Sequence, residues 1–173
     1  MDENLIKAQK HLRIQSVNLT TSTINVKEDI EFALLDRSKT MTQGFRYVLR
    51  VKEITLKDDN KIWDYRFMYE IGLRLIFSED EEISKEDDDF EPIFGIISNF
   101  EAKYFSDVKL DDKELKAYSA HNVGYHVWPY WREYVQSSCT RIGLSPVLEV
   151  PVYIIPNKEE KIKKKTKKKA IKS

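Results

Sequence analysis

The clearest pattern in the chain is an alternation. Trp63, Tyr65, Phe67, Tyr69, Ile71, Leu73, Leu75 and Phe77 fill eight consecutive odd positions. Asp64, Arg66, Glu70 and Arg74 stand between them, with Met68 and Ile76 as apolar exceptions. A period of two over that length excludes a helix and predicts a strand with one buried face. At about 1.5–3 kcal/mol for each large apolar side chain, eight of them contribute roughly 12–24 kcal/mol, an upper bound. That makes this strand the predicted centre of the core. Just upstream, Phe45, Tyr47, Leu49 and Val51 alternate with Arg46, Val48, Arg50 and Lys52, which predicts a half-buried strand whose wet face carries the second set. Lys57-Asp58-Asp59-Asn60 between them is a turn signal, so the two strands read as an antiparallel hairpin.

Weaker patterns flank the hairpin. A further strand is expected over 93–109, with Phe94, Ile96, Phe100, Ala102, Tyr104 and Val108 on its even face. Leu12 to Val26 is rich in Thr, Ser and Asn, and its alternation slips between Ile14 and Val17. That predicts a bulged strand at a sheet edge or an intersubunit seam. Ile30 to Leu35 is a short apolar run and reads as one more strand, while residues 1–10 are polar and expected to fray. Helix begins after Asp111-Asp112, which supply a cap and first-turn acids. Lys113 to His121 makes two turns, and Pro129 marks a kink or the first turn of a second helix. Beyond it Tyr130, Trp131, Tyr134, Val135, Cys139 and Ile142 form an amphipathic stripe, closed by Gly143 as a C-cap and Pro146 as a stop. Pro151 and Pro156 bracket an extended apolar stretch, Val147 to Ile155. No repeat is visible.

The fold class is therefore α+β: an antiparallel sheet of four to five strands with one long kinked helix, or two helices, packed on one face. Charge divides the chain further. The 29 basic and 29 acidic side chains cancel overall, but not locally. Residues 158–173 hold nine lysines and two glutamates, a charge of +7, and Glu79 to Glu91 holds nine carboxylates and one lysine, a charge of −8. The expected organisation is a polar extension over 1–10, one domain over 11–157 carrying a solvated acidic insert at 78–92, and a disordered Lys-rich tail over 158–173. No apolar run reaches the roughly 18 residues of a membrane span, and none follows Met1-Asp2-Glu3 as a signal peptide would. A single cysteine, Cys139, cannot form an internal disulfide, which favours a reducing, cytoplasmic setting.

Chemistry-bearing motifs are scarce. Five glycines, at 44, 72, 95, 124 and 143, make neither a GxGxxG nor a P-loop. No zinc-type spacing of Cys and His exists, and His121 and His126 stand five apart rather than four, so they read as ordinary polar positions at a helix entry. Cys139 falls on the apolar stripe and reads as a core residue. The acidic insert lacks the spacing of a calcium loop. Neither a cofactor nor an enzymatic activity is expected. The aromatics carry more information. Val127, Trp128, Tyr130, Trp131 and Tyr134 lie within eight residues and point around more than half of a helix. Either they supply a core and a subunit interface, or the surplus forms a groove for apolar peptide segments with Val147 to Ile155 as one wall.

On these residues the chain resembles the SecB family of export chaperones. The resemblance centres on Asn122-Val123-Gly124-Tyr125-His126-Val127-Trp128-Pro129-Tyr130-Trp131-Arg132-Glu133, which is similar to the family's helix ending Pro-Tyr-x-Arg-Glu. It continues through Ser138, Arg141, Gly143, Pro146 and Pro151, similar to the Gly/Pro-rich link that follows that helix. The hairpin Phe45 to Phe77 resembles the family's long strands in kind and order. The resemblance implies a homotetramer built as a dimer of dimers. It also implies an ATP-independent holdase that keeps unfolded or precursor proteins soluble in the cytoplasm for protein export and translocation, with SecA as receiver. Some members protect an antitoxin of a toxin–antitoxin system instead. Extended clients would bind through backbone hydrogen bonds and alternate apolar side chains, several weak subsites adding by effective concentration.

Under this reading Val127, Trp128, Trp131, Tyr134, Leu148, Val150 and Val152 are the expected client or interface contacts. Asn122, Pro129, Tyr130, Arg132 and Glu133 form the structural helix motif, with Arg132 and Glu133 fixing helix packing or the tetramer. Three departures stand out. Leu12 to Val26 contains no Asp or Glu, whereas export members meet SecA with first-strand carboxylates. The chain ends in lysines rather than in a further amphipathic helix, and the acidic insert and the strand after it are long. They point to a divergent, SecB-like member. A nucleic-acid-associated protein is a competing class, because a Lys-rich tail binds phosphates by counterion release. The body's charge of −7 argues against it, and the simpler alternatives are a disordered solubilising tail or a tail folded back on the acidic insert.

Overall fold

In a computed structural model of the chain, residues 2–55, 62–87 and 89–154 are described. The turn Lys57 to Asn60, the Lys-rich tail 158–173 and the end of the apolar stretch past Ile154 lie outside the described residues. The elements run α1 (Glu3–His11), β1 (Arg13–Val26), β2 (Thr40–Thr55), β3 (Trp63–Phe77), α2 (Ile83–Glu86), β4 (Phe94–Ser106), α3 (Asp112–Tyr118) and α4 (Gly124–Arg141). The four strands form one antiparallel sheet in the order β1-β4-β3-β2. The helices α3 and α4 cover one of its faces.

The alternation of β3 becomes the core. Tyr65, Phe67, Tyr69, Ile71, Leu73 and Leu75 are buried, and they share their face with Phe94, Ile96, Phe100, Ala102 and Tyr104 of β4. The Phe67, Tyr104 and Tyr118 rings meet at 5.2–6.0 Å, locking β3, β4 and α3 together through edge and tilted contacts. Burial pushes the Tyr118 hydroxyl up to about 12 and Tyr104 higher still, so both stay neutral.

The hairpin is present but its second face is not as expected. Phe45, Tyr47 and Leu49 are 42%, 48% and 50% exposed, whereas Arg46 and Val48 pair with Ile71 and Tyr69 on the covered face. The register decides this. Phe45 pairs with Gly72 and Tyr47 with Glu70, both on the open face of β3, and a bulge between Val48 and Arg50 then returns Val51 to the covered face beside Phe67. Phe45 lies over Gly72, where a Cβ would come within 2.6 Å of its ring, so the glycine makes room for the outward aromatic.

The edge strand β1 behaves as its composition predicts. It pairs only with β4, and its register shifts between Ile14 and Ser16 and again between Leu19 and Thr21. Ile14, Leu19, Ile24 and Val26 all remain about two-fifths exposed, at 41%, 42%, 37% and 40%. Their register partners on β4 place them as an apolar row on the helix side of the sheet.

Three local expectations are corrected. Residues 3–11 do not fray: Asp2 caps α1 at the Asn4 amide, Ala8 and Leu12 are buried, and Lys7 bonds Glu114 at 2.5 Å. Leu5, Ala8 and Leu12 fall on one side and dock the helix on α3, while Ile6 stays 46% exposed. Ile30 to Leu35 forms no strand; Phe32–Leu34 is a single 3-10 turn, closed by the Leu35 amide on the Phe32 carbonyl. The acidic insert is not a free loop. A 3-10 turn and α2 fold onto the open face, where Arg74 donates to the Ser84 carbonyl at 2.5 Å and to Gln43 at 2.8 Å. Most of its described carboxylates face water while Ser84 is buried, so one backbone-anchored turn carries the charge without burying it.

The helical segment starts as predicted, with Asp111 and Glu114 forming a reciprocal capping box. Pro129 is not in a first turn. It stands inside α4, and the helix is continuous with α3 through a π turn at Ser119–Val123. One carboxylate is deeply placed on the far side of the sheet: Asp64 is fully buried, with Arg66 at 3.2 Å and Lys103 at 3.4 Å on the same oxygen. The face assignments predict opposite outcomes for two large-to-small changes. Phe67→Ala should cost about 3–5 kcal/mol in a urea melt, whereas Leu49→Ala should stay within about 0.5 kcal/mol.

Candidate functional site

The segment after α4 builds one wall of a recess on the helix side. Gly143 adopts φ 76°, the left-handed conformation that a glycine takes without strain. Its amide bonds the Thr140 carbonyl at 3.2 Å, and the Leu144 amide bonds the Cys139 carbonyl at 2.9 Å. This is the Schellman arrangement, and its accompanying apolar contact joins buried Leu144 to buried Cys139. The cap reverses the chain, and Val147 to Ile154 runs back past α4 as an extended strap with no strand partner. Leu148 and Val150 are buried, while Val152 and Ile154 are exposed.

Between strap, α4 and β2 lies a groove of about 400 Å³. Its lining includes Arg46, Ile71, Leu73, Trp128, Trp131 and Val150. Trp128 donates its indole N–H to the Pro151 carbonyl at 2.7 Å. Arg46 donates to the Ile154 carbonyl at 3.2 Å, and its guanidinium lies 4.8 Å from the Trp128 ring centre and 4.3 Å from that of Tyr153. A cation between two aromatic faces is held by both. Tyr153 also meets Trp128 and Tyr125 edge-on at 5.2 and 6.2 Å. Burial raises the Tyr153 and Tyr69 hydroxyls above the usual phenol range, with Arg46 pulling the other way. Away from the groove, His126 Nδ1 lies 2.9 Å from the Tyr104 hydroxyl of β4, and burial holds the imidazole below its ordinary value.

The expected contacts separate by depth. Trp128, Trp131 and Val150 line the groove together. Val127 and Leu148 are buried in the core beneath, Tyr134 is half-buried along the stripe, and Val152 is 74% exposed on the strap. Within the helix motif Asn122 accepts a hydrogen bond from Gln9 of α1 at 3.1 Å, Pro129 lies exposed on α4 and Tyr130 is 51% exposed. Arg132 and Glu133 are exposed and make no ion pair among the described residues. Arg46, Tyr69 and Tyr153 were not singled out as site residues from sequence. The alternation of β2 puts Arg46 on the wet face, and only the bulge between Val48 and Arg50 explains its place on the covered one. Cys139 is fully buried, and burial raises its thiol, as befits a core residue. Among the described residues, no three His, Cys, Asp or Glu side chains converge as metal ligands, and no helix is long and apolar enough to cross a membrane.

Two outcomes follow from this geometry. The neutral form of His126 is the one the fold accommodates, so its contribution is complete above the unfolded value near 6.5 and is lost as pH falls below it. Thermal melts should show stability declining from about pH 7.5 to 5.5, by at most about 1.4 kcal/mol per pH unit for this one proton, and His126→Gln should flatten that slope. The second concerns Gly124. Alanine for glycine in a helix ordinarily gains about 0.8–1.0 kcal/mol. Here the added Cβ would stand 2.5 Å from the Tyr153 hydroxyl and 2.6 Å from that of Tyr69. Gly124→Ala should instead lose about 1–3 kcal/mol, and because Tyr69 is fixed in the sheet, the strap should give way and be cut faster in limited proteolysis.

No family model and no curated protein matches the chain. Among solved structures it is similar to a SecB-like chaperone of Mycobacterium tuberculosis in complex with a ChAD peptide from an antitoxin. The TM-score is 0.64 at 17% sequence identity, covering 90% of this chain and 100% of that one. The four-stranded antiparallel sheet with a long helix on one face is thus the SecB-like fold.

Proposed function

We propose that the protein is an ATP-independent chaperone that holds unfolded segments of other proteins. The observation that carries this reading is the groove beside the strap: apolar walls, with Trp128 and Arg46 directed at main-chain carbonyls. An extended client offers the same carbonyls and alternate apolar side chains. The likeness to a SecB-like chaperone that holds a peptide supports it. Trp128, Trp131 and Val150 are the contacts nearest a client, with Val152 at the rim and Val127, Tyr134 and Leu148 as their support.

Export to SecA and service to an antitoxin remain two destinations for a held client. The peptide in the similar structure comes from an antitoxin, which favours the second. The absence of Asp and Glu from β1 weighs in the same direction. A cytoplasmic homotetramer completes the proposal. Its support is the apolar row of Ile14, Leu19, Ile24 and Val26 on an edge strand, a surface that a partner sheet would cover.

The test is light scattering of a denatured client diluted into buffer. Aggregation should be suppressed at about one tetramer per client without nucleotide, and unchanged scattering would overturn the holdase reading. Mass measured in solution should correspond to four chains of 20.5 kDa.

A further inference from the structure

The strap is held in two different ways along its length. Its first half is core: Leu148 and Val150 are 1% and 5% exposed. Its second half keeps its aliphatic side chains in water, with Val152 and Ile154 at 74% and 72% exposed. What holds this half is its backbone and one ring. The Pro151 carbonyl accepts from Trp128, the Ile154 carbonyl accepts from Arg46, and Tyr153 closes over the guanidinium. Side-chain donors that take carbonyls three residues apart are indifferent to the side chains between them. That indifference is a property of a receptor for many sequences rather than of a unique tertiary contact.

The donors are also pre-set. Trp128 is carried by a helix and Arg46 by a strand, so both stay in place when the strap leaves. The groove of about 400 Å³ continues from the clamp over Ile71, Leu73 and Trp131 and has room for apolar side chains. The exposed half of the strap, by contrast, lacks strand pairing and can detach without opening the core.

We propose that Trp128 and Arg46 form a two-donor clamp for the backbone of an extended peptide, occupied in cis by Pro151–Ile154 until a client segment displaces it. The ligand class is an extended polypeptide with apolar side chains at alternate positions, bound through carbonyls of residues i and i+3. This rests on the reading of the protein as a chaperone for unfolded chains. It adds a regulatory step, because a client's apparent affinity is reduced by the fraction of molecules whose clamp is closed by the strap.

The probe is a short fluorescein-labelled peptide with Leu or Val at alternate positions and Ser or Lys between, titrated by anisotropy into the full chain. Tyr153→Ala removes the ring that closes the strap and leaves both donors in place. It should bind the peptide roughly 5- to 50-fold more tightly than the unaltered chain. Trp128→Phe keeps a ring but lacks the N–H, and it should weaken binding in the Tyr153→Ala background. Equal or weaker binding by Tyr153→Ala overturns occupancy in cis. An unchanged affinity on adding Trp128→Phe overturns the clamp. In both of those cases suppression of client aggregation by the unaltered chain leaves the chaperone reading standing. Failure of every variant to bind peptide, together with failure to suppress aggregation, removes the chaperone reading and this inference with it.

Discussion

A four-stranded sheet has two faces, and this chain has helix enough to cover one of them. The burial of the odd side chains of β3 against α3 and α4 settles which face that is. Once Tyr65, Phe67, Tyr69, Ile71, Leu73 and Leu75 point inward, the residues of β2 and β4 paired with them lie on the covered face. Every other feature is a response to the face left over. The acidic insert folds onto its far end, Phe45 and Tyr47 stack upon it 5.8 Å apart, and Asp64 gathers two cations at the other end. A buried carboxylate with a single paired oxygen is expensive, and the two cations on that oxygen offset the cost.

The strands with many large side chains are legible in the sequence. β3 and the buried face of β4 follow from alternation alone, because nothing but a half-buried strand keeps period two for so long. The C-cap at Gly143 and the capping acids at Asp111 were equally plain, since each depends on local chemistry. β2 was harder. Its alternation is as regular as that of β3, but an edge strand can turn aromatic residues outward, and a single bulge resets the phase halfway along. Periodicity says which residues share a face, not which face is covered. The helix α1 was missed because its apolar content is small; its stability comes from docking on α3 and from the Lys7–Glu114 pair.

The groove was legible by its aromatic side and invisible by its polar side. Trp128 and Trp131 announce themselves in the sequence, and Val150 follows from the apolar stretch after the helix. Arg46 does not, because an arginine on a strand ordinarily reads as solvated. Its role appears only when the strap brings Tyr153 over its guanidinium and a carbonyl to its edge. Sequence reasoning finds side chains that must be hidden. It is much weaker on side chains that act by pointing at a backbone.

The Schellman cap at Gly143 also works as the zero mark of a ruler. It fixes where the returning chain starts, and the strap is measured off from there in units of two residues, Leu148 then Val150 inward. Inserting one residue between Leu144 and Leu148 would turn the inward set outward and carry the Pro151 carbonyl past the Trp128 indole. Inserting two would keep the inward face but leave both carbonyls out of step with donors whose spacing is set by a helix and a strand. Length in this segment is thus as tightly specified as composition is in β3, although its residues belong to no helix or sheet.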